Sequence, residues 1–151
     1  MKGSETVLDL YCGAGTIGLS MAKSAKKIYG AEIVPEAIEN AKENARRNHI
    51  ENAEFFCGDA ADAAKRFREM GVKPDAVLLD PPRKGCDEAV LKTVAEMRPE
   101  KIVYVSCDPA TLARDAARLS SFGYAPTRLA AADLFPRTVH VESVCLFLQE
   151  K

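Results

Sequence analysis

The fold follows from the stretch Asp9-Leu-Tyr-Cys-Gly-Ala-Gly-Thr-Ile-Gly18, which comes directly after an apolar strand and opens a helix. It contains the pattern G-x-G-x-x-G at Gly13, Gly15 and Gly18, whose glycines let the backbone approach a bound cofactor. Glu32 ends the next predicted strand, about 20 residues further on, where an acidic side chain accepts hydrogen bonds from ribose hydroxyls. The stretch therefore predicts the first strand–helix unit of a nucleotide- or nucleoside-binding sheet.

The same alternation of strand and helix continues along the chain and predicts an α/β fold. The predicted strands are Val7–Leu10, Ile28–Ala31, Glu54–Cys57, Ala76–Leu79, Ile102–Val105, Pro126–Ala131 and, at about these limits, Val139–Leu148. The predicted helices are Ile17–Ala25, Pro35–Asn48, Asp59–Met70, Asp87–Met97 and Pro109–Phe122. The loop Asp133–Thr138 joins the last two strands without a helix, which favours an antiparallel pair. The result is a mostly parallel seven-stranded sheet with an antiparallel last strand.

Length and composition indicate one globular domain over residues 1–151, because 47% of the residues are hydrophobic and 28% are charged. No apolar run reaches the roughly 18 residues of a membrane span, and the first residues lack the apolar segment of a signal peptide. The 5 cysteines are scattered without a C-x-x-C pair, which predicts neither a zinc site nor a disulfide framework. This cysteine usage favours a cytoplasmic location.

The charge of the chain is nearly balanced, with a formal net charge of −1 at pH 7. Proteins that hold a long nucleic acid by themselves carry a cationic surface, because phosphate contacts supply much of the affinity. The balance predicts either a small partner or a nucleic acid that is held mainly by something outside this chain.

The glycine pattern alone leaves a nicotinamide cofactor and S-adenosylmethionine as open alternatives. Three features favour S-adenosylmethionine. Asp9 precedes the glycines, where a carboxylate can meet a cationic amino group and would repel a pyrophosphate. Asp59 follows the third strand, where it can bond an adenine amine. The third feature is the antiparallel last strand, which dehydrogenase nucleotide domains usually lack.

A cysteine stands where the fifth predicted strand gives way to a helix, and Pro109 marks the first turn of that helix. Either Cys107 or Asp108 caps the helix, whose N-terminus stabilises a thiolate. Cys107 is therefore the predicted nucleophile, and the other four cysteines are predicted to be inert small apolar residues.

Two further carboxylates are candidates for chemistry. Asp80 opens the segment Asp80-Pro-Pro-Arg83, which is similar to the D/N-P-P-aromatic motif of amino-methylating enzymes except that Arg83 replaces the aromatic residue. That departure argues against an amine acceptor. Glu142 lies in the last strand, which is predicted to be buried on both faces, and a carboxylate there suits a proton acceptor near neutral pH. His140 is the alternative base.

Four blocks resemble the catalytic domain of the RNA 5-methyluridine (uracil-5-) methyltransferases, and together they span nearly all of the chain. They are Asp9-Leu-Tyr-Cys-Gly-Ala-Gly-Thr-Ile-Gly18, Asp80-Pro-Pro-Arg-Lys-Gly85, Tyr104-Val-Ser-Cys-Asp-Pro-Ala-Thr-Leu-Ala-Arg-Asp115 and Asp133-Leu-Phe-Pro-Arg-Thr-Val-His-Val-Glu142. Thr16 and the segment Val34-Pro-Glu-Ala-Ile38 look more like the ribosomal-RNA branch than the transfer-RNA branch. The resemblance implies a Rossmann-like class I S-adenosylmethionine-dependent methyltransferase fold.

The resemblance also implies the reaction, which is methyl transfer from S-adenosylmethionine to C5 of a uridine in RNA. The expected substrate is 23S ribosomal RNA, and no metal is expected. Cys107 is implied as the nucleophile that attacks C6, and Glu142 as the base that removes the C5 proton. Cofactor contacts are expected from Tyr11, Gly13, Gly15, Thr16, Glu32, Asp59 and Asp80.

The chain departs from the family in two respects. Asp108 stands where the family often has Asn. The family's upstream RNA-binding OB-type domain, a further domain and a glutamine motif are absent from this chain, so RNA is expected to be gripped mainly by domains outside it. Two alternatives are an NAD-dependent dehydrogenase domain, which predicts no role for Cys107, and a non-catalytic cofactor-binding module.

Overall fold

The computed structural model describes residues 3–134 and 136–150. Its strands are β1 (Thr6–Leu10), β2 (Lys27–Glu32), β3 (Ala53–Cys57), β4 (Ala76–Leu79), β5 (Lys101–Ser106), β6 (Tyr124–Ala132) and β7 (Glu142–Gln149). Its helices are α1 (Thr16–Ser20), α2 (Pro35–Arg47), α3 (Ala60–Glu69), α4 (Glu88–Glu96) and α5 (Pro109–Ser121). The predicted order of strands and helices is confirmed. Phe135 of the predicted Asp133–Thr138 loop lies outside the described residues.

The strands form one seven-stranded sheet in the order β3-β2-β1-β4-β5-β7-β6. The pairs among β1 to β5 are parallel, whereas β7 pairs antiparallel with both β5 and β6. Only β7 therefore runs against the other strands, which confirms the predicted antiparallel last strand. Its insertion between β5 and β6 brings the end of β5 next to the start of β7.

The two faces of the sheet carry different helices, because successive side chains along a strand point to opposite faces. Leu8 and Leu10 of β1 belong to the main core, where α3, α4 and α5 cover the sheet. Val7 points to the other face and packs in a smaller cluster with residues of the chain between α1 and β2. Asp9 has the same parity as Val7 and therefore faces α1 and not the main core.

The first helix is shorter than the predicted helix Ile17–Ala25. It ends at Ser20, and a single 3₁₀ turn follows over Ala22–Ser24. Asn52 donates hydrogen bonds of 2.9 Å from Nδ2 to the carbonyl oxygens of both Ala22 and Ala25. These carbonyls are satisfied by a side chain and need no continuing helix, so the chain turns directly into β2.

The last strand begins three residues later than predicted, and the expectation that both of its faces are buried is wrong. Ser143, Cys145 and Phe147 are buried on the α5 side, whereas Val144 and Leu148 on the opposite face remain 38% and 37% exposed. The cause is that no helix in the described part of the chain covers this face of β7. None of the helices within residues 3–134 and 136–150 has the length and apolar character needed to cross a membrane.

Candidate active site

An open cavity of about 500 Å³ lies at the carboxyl ends of the central strands. This is the edge at which open α/β sheets bind their ligands, and the volume suits a small-molecule cofactor. The lining residues come from the ends of β1 to β4 and from the segments that follow them: Tyr11, Ala31, Glu32, Ile33, Gly58, Asp59, Ala60, Ala61, Asp80, Pro82, Lys84, Asp87 and Val90. Four of the seven predicted cofactor residues are thus brought together, namely Tyr11, Glu32, Asp59 and Asp80.

Tyr11 enters the cavity through a strained backbone. Its φ of 78° is in the left-handed region, where non-glycine residues rarely lie and where function is often found. The amides of Tyr11 and Cys12 both donate to the carbonyl oxygen of Ala31 at 2.9 Å, and these two bonds hold the turn. Burial raises the pKa of Tyr11, so its hydroxyl stays protonated and can donate a hydrogen bond.

Glu32 ties the second strand to the glycine loop. Its Oε2 accepts from the amide of Gly13 at 3.1 Å, while Oε1 accepts from the amides of Ile33 and Val34 at 2.9 and 3.1 Å. A carboxylate offers about four lone-pair sites, so Oε2 keeps the capacity to accept a further bond from a ligand hydroxyl. The predicted spacing between the glycines and the acidic residue therefore corresponds to a direct contact.

The glycine loop has a clear steric requirement at Gly15. Its φ is 82°, and a Cβ atom there would lie 2.9 Å from Cδ1 of Leu19. Gly13 and Gly15 shape the turn from β1 into α1, but neither lines the cavity. Thr16 opens α1 and borders a separate depression with Leu19 and Asn44, so the structure places it apart from Tyr11 and Glu32. The cofactor role of Thr16 stays a prediction.

Asp9 does not line the cavity, so its predicted contact with a cationic amino group of the cofactor stays a prediction. The residue is 2% exposed, and its Oδ2 accepts from the amide of Gly18 at 3.1 Å. Burial raises the pKa of Asp9 to about 7, against the lowering effect of the Gly18 bond and with a further rise from the charges of Asp80 and Glu32. Asp9 therefore stabilises the start of α1 through its hydrogen bond to Gly18.

Asp59 and Asp80 border the cavity on two sides. Asp59 is the N-cap of α3, where its Oδ1 accepts from the amides of Ala61 and Asp62 at 2.8 and 2.9 Å. Both bonds use the same oxygen, which leaves Oδ2 for a ligand. Asp80 follows β4 directly. Burial of the carboxyl raises the pKa of Asp80, and the negative charge of Glu142 raises it further, so these two carboxyls face one region of the site.

Two charged residues of the cavity lining were not predicted from the sequence, Lys84 and Asp87. Their side chains line the wall that follows Pro82, with Nζ of Lys84 3.8 Å from Oδ2 of Asp87. Their position just after the Pro-Pro turn at the end of a strand was the available signal. With them the lining carries four carboxyl groups and one ammonium group, which makes the cavity acidic.

Cys107 lies between the end of β5 and the start of α5. The N-cap is Asp108, whose Oδ1 accepts from the amides of Ala110 and Thr111 at 2.9 and 3.3 Å, which decides between the two predicted caps. In the antiparallel ladder the last pair of β5 and β7 is Ser106 with Ser143. Cys107 follows this pair on β5 and Glu142 precedes it on β7, so both residues lie at the same end of the ladder.

The other cysteines differ from Cys107 in environment. Cys12, Cys86 and Cys145 are buried, whereas Cys57 is exposed and Cys107 is half-buried. Burial raises the pKa of both Cys12 and Cys86 to about 12, and it also raises the pKa of Cys145. These three thiols therefore stay protonated at neutral pH. The prediction that Cys57 is a buried apolar residue is wrong, because β3 lies at the edge of the sheet.

The described part of the chain contains no cluster of side chains suited to bind a metal ion. Within residues 3–134 and 136–150, no group of three or more His, Cys, Asp or Glu side chains could hold a metal ion.

The match to a protein-family model decides the relationship of this chain to known proteins. The model described as tRNA (uracil-5-)-methyltransferase matches residues 2–151. The chain belongs to this family. The resemblance inferred from the four sequence blocks is thereby confirmed, whereas the assignment to the ribosomal-RNA branch stays a prediction.

Curated relatives agree with this membership. The chain is 53% identical to an uncharacterized RNA methyltransferase of Halalkalibacterium halodurans and 51% identical to one of Clostridium acetobutylicum. Each match extends over 97% of this chain and 32% of the relative. The chain therefore spans about a third of the length of these relatives.

Solved structures confirm the predicted Rossmann-like methyltransferase fold. The Pyrococcus abyssi tRNA (uracil-54, C5)-methyltransferase, solved in complex with S-adenosyl-L-homocysteine, superposes with a TM-score of 0.81 at 35% identity. That match covers 96% of this chain and 34% of the other. A precorrin-6y C5,15-methyltransferase of Geobacter metallireducens, at 14% identity, has a TM-score of 0.78 over 99% of this chain and 82% of its own, and shows the fold alone.

Proposed function

We propose that this chain is a catalytic domain that transfers a methyl group from S-adenosylmethionine to C5 of a uridine in RNA. The observation that carries the proposal is the juxtaposition of two features: an acidic cavity at the ends of β1 to β4, and the pair of Cys107 and Glu142 at the neighbouring strand ends. Membership of the uracil-5-methyltransferase family supports it. The bound S-adenosyl-L-homocysteine of the Pyrococcus abyssi relative supports the choice of cofactor.

The charge of the cavity fits S-adenosylmethionine better than NAD. Four carboxyl groups and one ammonium group line it, so a cationic sulfonium and amino group are attracted and a pyrophosphate is repelled. We assign Glu32 to the ribose hydroxyls and Oδ2 of Asp59 to the adenine amine, because each carboxylate keeps acceptor capacity beyond its backbone bonds. Tyr11 and Asp80 complete the walls. When bound, the cofactor supplies an electrophilic methyl group on a positively charged sulfur.

Cys107 and Glu142, which lie at the neighbouring ends of β5 and β7, are proposed to carry out the remaining steps. Uracil C5 is a weak carbon nucleophile, so the Cys107 thiolate first forms a bond to C6, and the electrons of the C5=C6 bond move towards the C4 carbonyl oxygen. C5, made nucleophilic in this way, would take up the methyl group that the bound cofactor supplies. Glu142 accepts the C5 proton, C5=C6 forms again, and the thiolate leaves.

The RNA substrate is proposed to be ribosomal, with 23S RNA as the specific candidate. The support is the sequence of the glycine loop with Thr16 and of the segment 34–38. Because the net charge is −1 and the relatives are about three times as long, we propose that regions outside these 151 residues hold most of the RNA. Five free cysteines suit the cytoplasm as the location.

Titration calorimetry of the chain with S-adenosyl-L-homocysteine and, separately, with NAD tests the proposal. Saturable binding of the sulfur ligand with one site per chain is the expected result, together with no heat of binding for NAD. Saturable NAD binding with no response to S-adenosyl-L-homocysteine would show that the site belongs to a nicotinamide enzyme.

A further inference from the structure

A buried carboxylate outside the proposed reaction connects the cavity wall to the helix that follows Cys107. Asp115 lies in α5 and is fully buried. Its Oδ2 accepts from the hydroxyl of Tyr104 at 2.6 Å and from the amide of Cys86 at 2.8 Å. Cys86 ends the segment that begins with Asp80-Pro-Pro, and Tyr104 is in β5. One oxygen of α5 thus contacts both the residue that follows the block Asp80–Gly85 and a tyrosine of β5.

The second oxygen of the same carboxylate is held by arginines. Oδ1 of Asp115 accepts from Nε of Arg114 at 2.9 Å and from Nη1 of Arg118 at 3.2 Å. Arg114 also donates from Nη2 to the carbonyl oxygen of Lys84 at 2.8 Å, which fixes the segment at a second point. Although burial opposes it, these bonds and those from Tyr104 and Cys86 keep the pKa of Asp115 below its usual value, so the side chain is charged.

The approach of the segment to this carboxylate is so close that only glycine fits before Cys86. Gly85 has a φ of 77°, and a Cβ atom on it would lie 2.5 Å from Oδ2 of Asp115. The amide of Gly85 donates to the carbonyl oxygen of Pro82 at 2.8 Å and closes the turn. The residues of this turn, Pro82 and Lys84, form one wall of the cavity.

We propose that Asp115 is a positioning residue, which holds the cavity wall of residues 82–86 at a fixed place relative to Cys107. The inference rests on the proposed function, because it gives this wall a role in cofactor binding. Cys107 precedes α5, and Asp115 lies in the same helix, so a movement of the wall away from Asp115 is a movement away from the nucleophile. Among the described residues, Asp115 is the one charged side chain that accepts a hydrogen bond from a backbone amide of residues 82–86.

Two measurements on Asp115→Asn test this inference. The asparagine keeps the shape but can no longer accept at both positions. We expect the Kd for S-adenosyl-L-homocysteine to rise about tenfold or more, since a buried donor loses its acceptor. We also expect the amide of Cys86 to exchange its hydrogen about tenfold faster relative to the amide of Leu78 in β4, because local opening of the wall is made easier.

Leu119→Ala is the matched control, since Leu119 is a fully buried residue of α5 that belongs to the main core. It should lower the melting temperature without changing the relative exchange at Cys86 or the Kd. Tyr104→Phe removes one bond to the carboxylate, is expected to shift both readouts in the same direction by a smaller factor, and decides the question if Asp115→Asn does not fold.

Unchanged exchange and affinity in folded Asp115→Asn would overturn the inference, as would equal changes in Leu119→Ala. A wild-type chain that binds no S-adenosyl-L-homocysteine would contradict the proposed function instead. In that case the relative exchange at Cys86 alone decides whether Asp115 holds the wall.

Discussion

Cys107 directly follows Ser106 of β5 and Glu142 directly precedes Ser143 of β7, so the two residues lie at the same end of the ladder that joins these strands. The arrangement exists because β7 is inserted antiparallel between β5 and β6. A parallel strand in the same place would bring its other end to the site. The same insertion sets the charge of Glu142 near Asp80, whose pKa is raised by burial and then by that charge. The proposed nucleophile, the proposed base and the cavity thus share one edge of the sheet.

Glu142→Gln should separate methyl transfer from product release. In the proposed reaction, attack by Cys107 and methyl transfer both precede removal of the C5 proton. The variant should therefore accumulate the methylated base bound to Cys107 while turnover falls about 100-fold or more. A denaturing gel with saturating short labelled RNA detects the adduct. His140→Gln is the matched control: adduct accumulation in that variant, with wild-type turnover in Glu142→Gln, would transfer the role of base to His140.

Glu32→Gln should weaken the binding of S-adenosyl-L-homocysteine by about 1–3 kcal/mol, because the amide cannot replace both carboxylate oxygens as acceptors. One of those oxygens also holds the amide of Gly13, so the glycine loop loses a contact. Glu54→Gln is the control. Glu54 is an exposed strand residue that does not line the cavity, and its Oε1 lies 2.6 Å from Nζ of Lys27. Equal affinities of the two variants in calorimetry would show that Glu32 does not contribute to binding of the ligand.

Asp9→Asn should change the pH dependence of stability. The pKa of Asp9 rises from 3.8 in the unfolded chain to about 7 in the folded protein, mainly through burial. Between these values the folded state keeps a proton that the unfolded state has lost, so this residue makes stability fall as pH increases from about 4 to 7. The variant should remove that loss and be more stable than wild type at pH 8 by roughly 1–4 kcal/mol.

Urea unfolding at a series of pH values measures this difference. The gap between Asp9→Asn and wild type should grow from pH 4 to pH 7 and then stay constant. A gap that does not vary with pH would mean that Asp9 is ionised in the folded protein throughout the range.

RNA binding by the chain alone should be weak. With 21 basic and 22 acidic residues it has no excess of cations to neutralise phosphates, and we expect a Kd no tighter than about 1 μM at physiological salt. A filter-binding assay with a short uridine-containing RNA measures it. Nanomolar binding would show that these 151 residues hold the RNA without help.

The sequence was sufficient for the features that depend on local order along the chain. Glu32 ends one strand, and Asp59 and Asp80 come just after two others. Because the carboxyl ends of parallel strands share one edge of the sheet, the convergence of these residues was predictable. The direction of Asp9 was not, because one step in the strand alternation decides whether a side chain meets the cavity or the underside of α1. The insertion of β7 also escaped prediction, since strand order depends on contacts between distant segments.

The buried hydrogen-bond network of Asp115 also could not be predicted from the sequence. Its partners Cys86 and Tyr104 are distant in sequence and approach only when α5 has packed against the sheet. A charged residue near the middle of an amphipathic helix gives no sign of being fully buried. The left-handed backbone of Tyr11 was equally hidden, because the tight turn is imposed by two bonds to Ala31.

Trapping with RNA that contains 5-fluorouridine tests the central claim most directly, because the fluorine cannot leave as the C5 proton does and the covalent adduct persists. The chain is incubated with S-adenosylmethionine and a saturating short RNA, and mass spectrometry of the digested complex locates the modified cysteine. We predict a single adduct at Cys107, which is lost in Cys107→Ala and retained in Cys57→Ala. An adduct at any other cysteine, or one that persists in Cys107→Ala, would contradict the account.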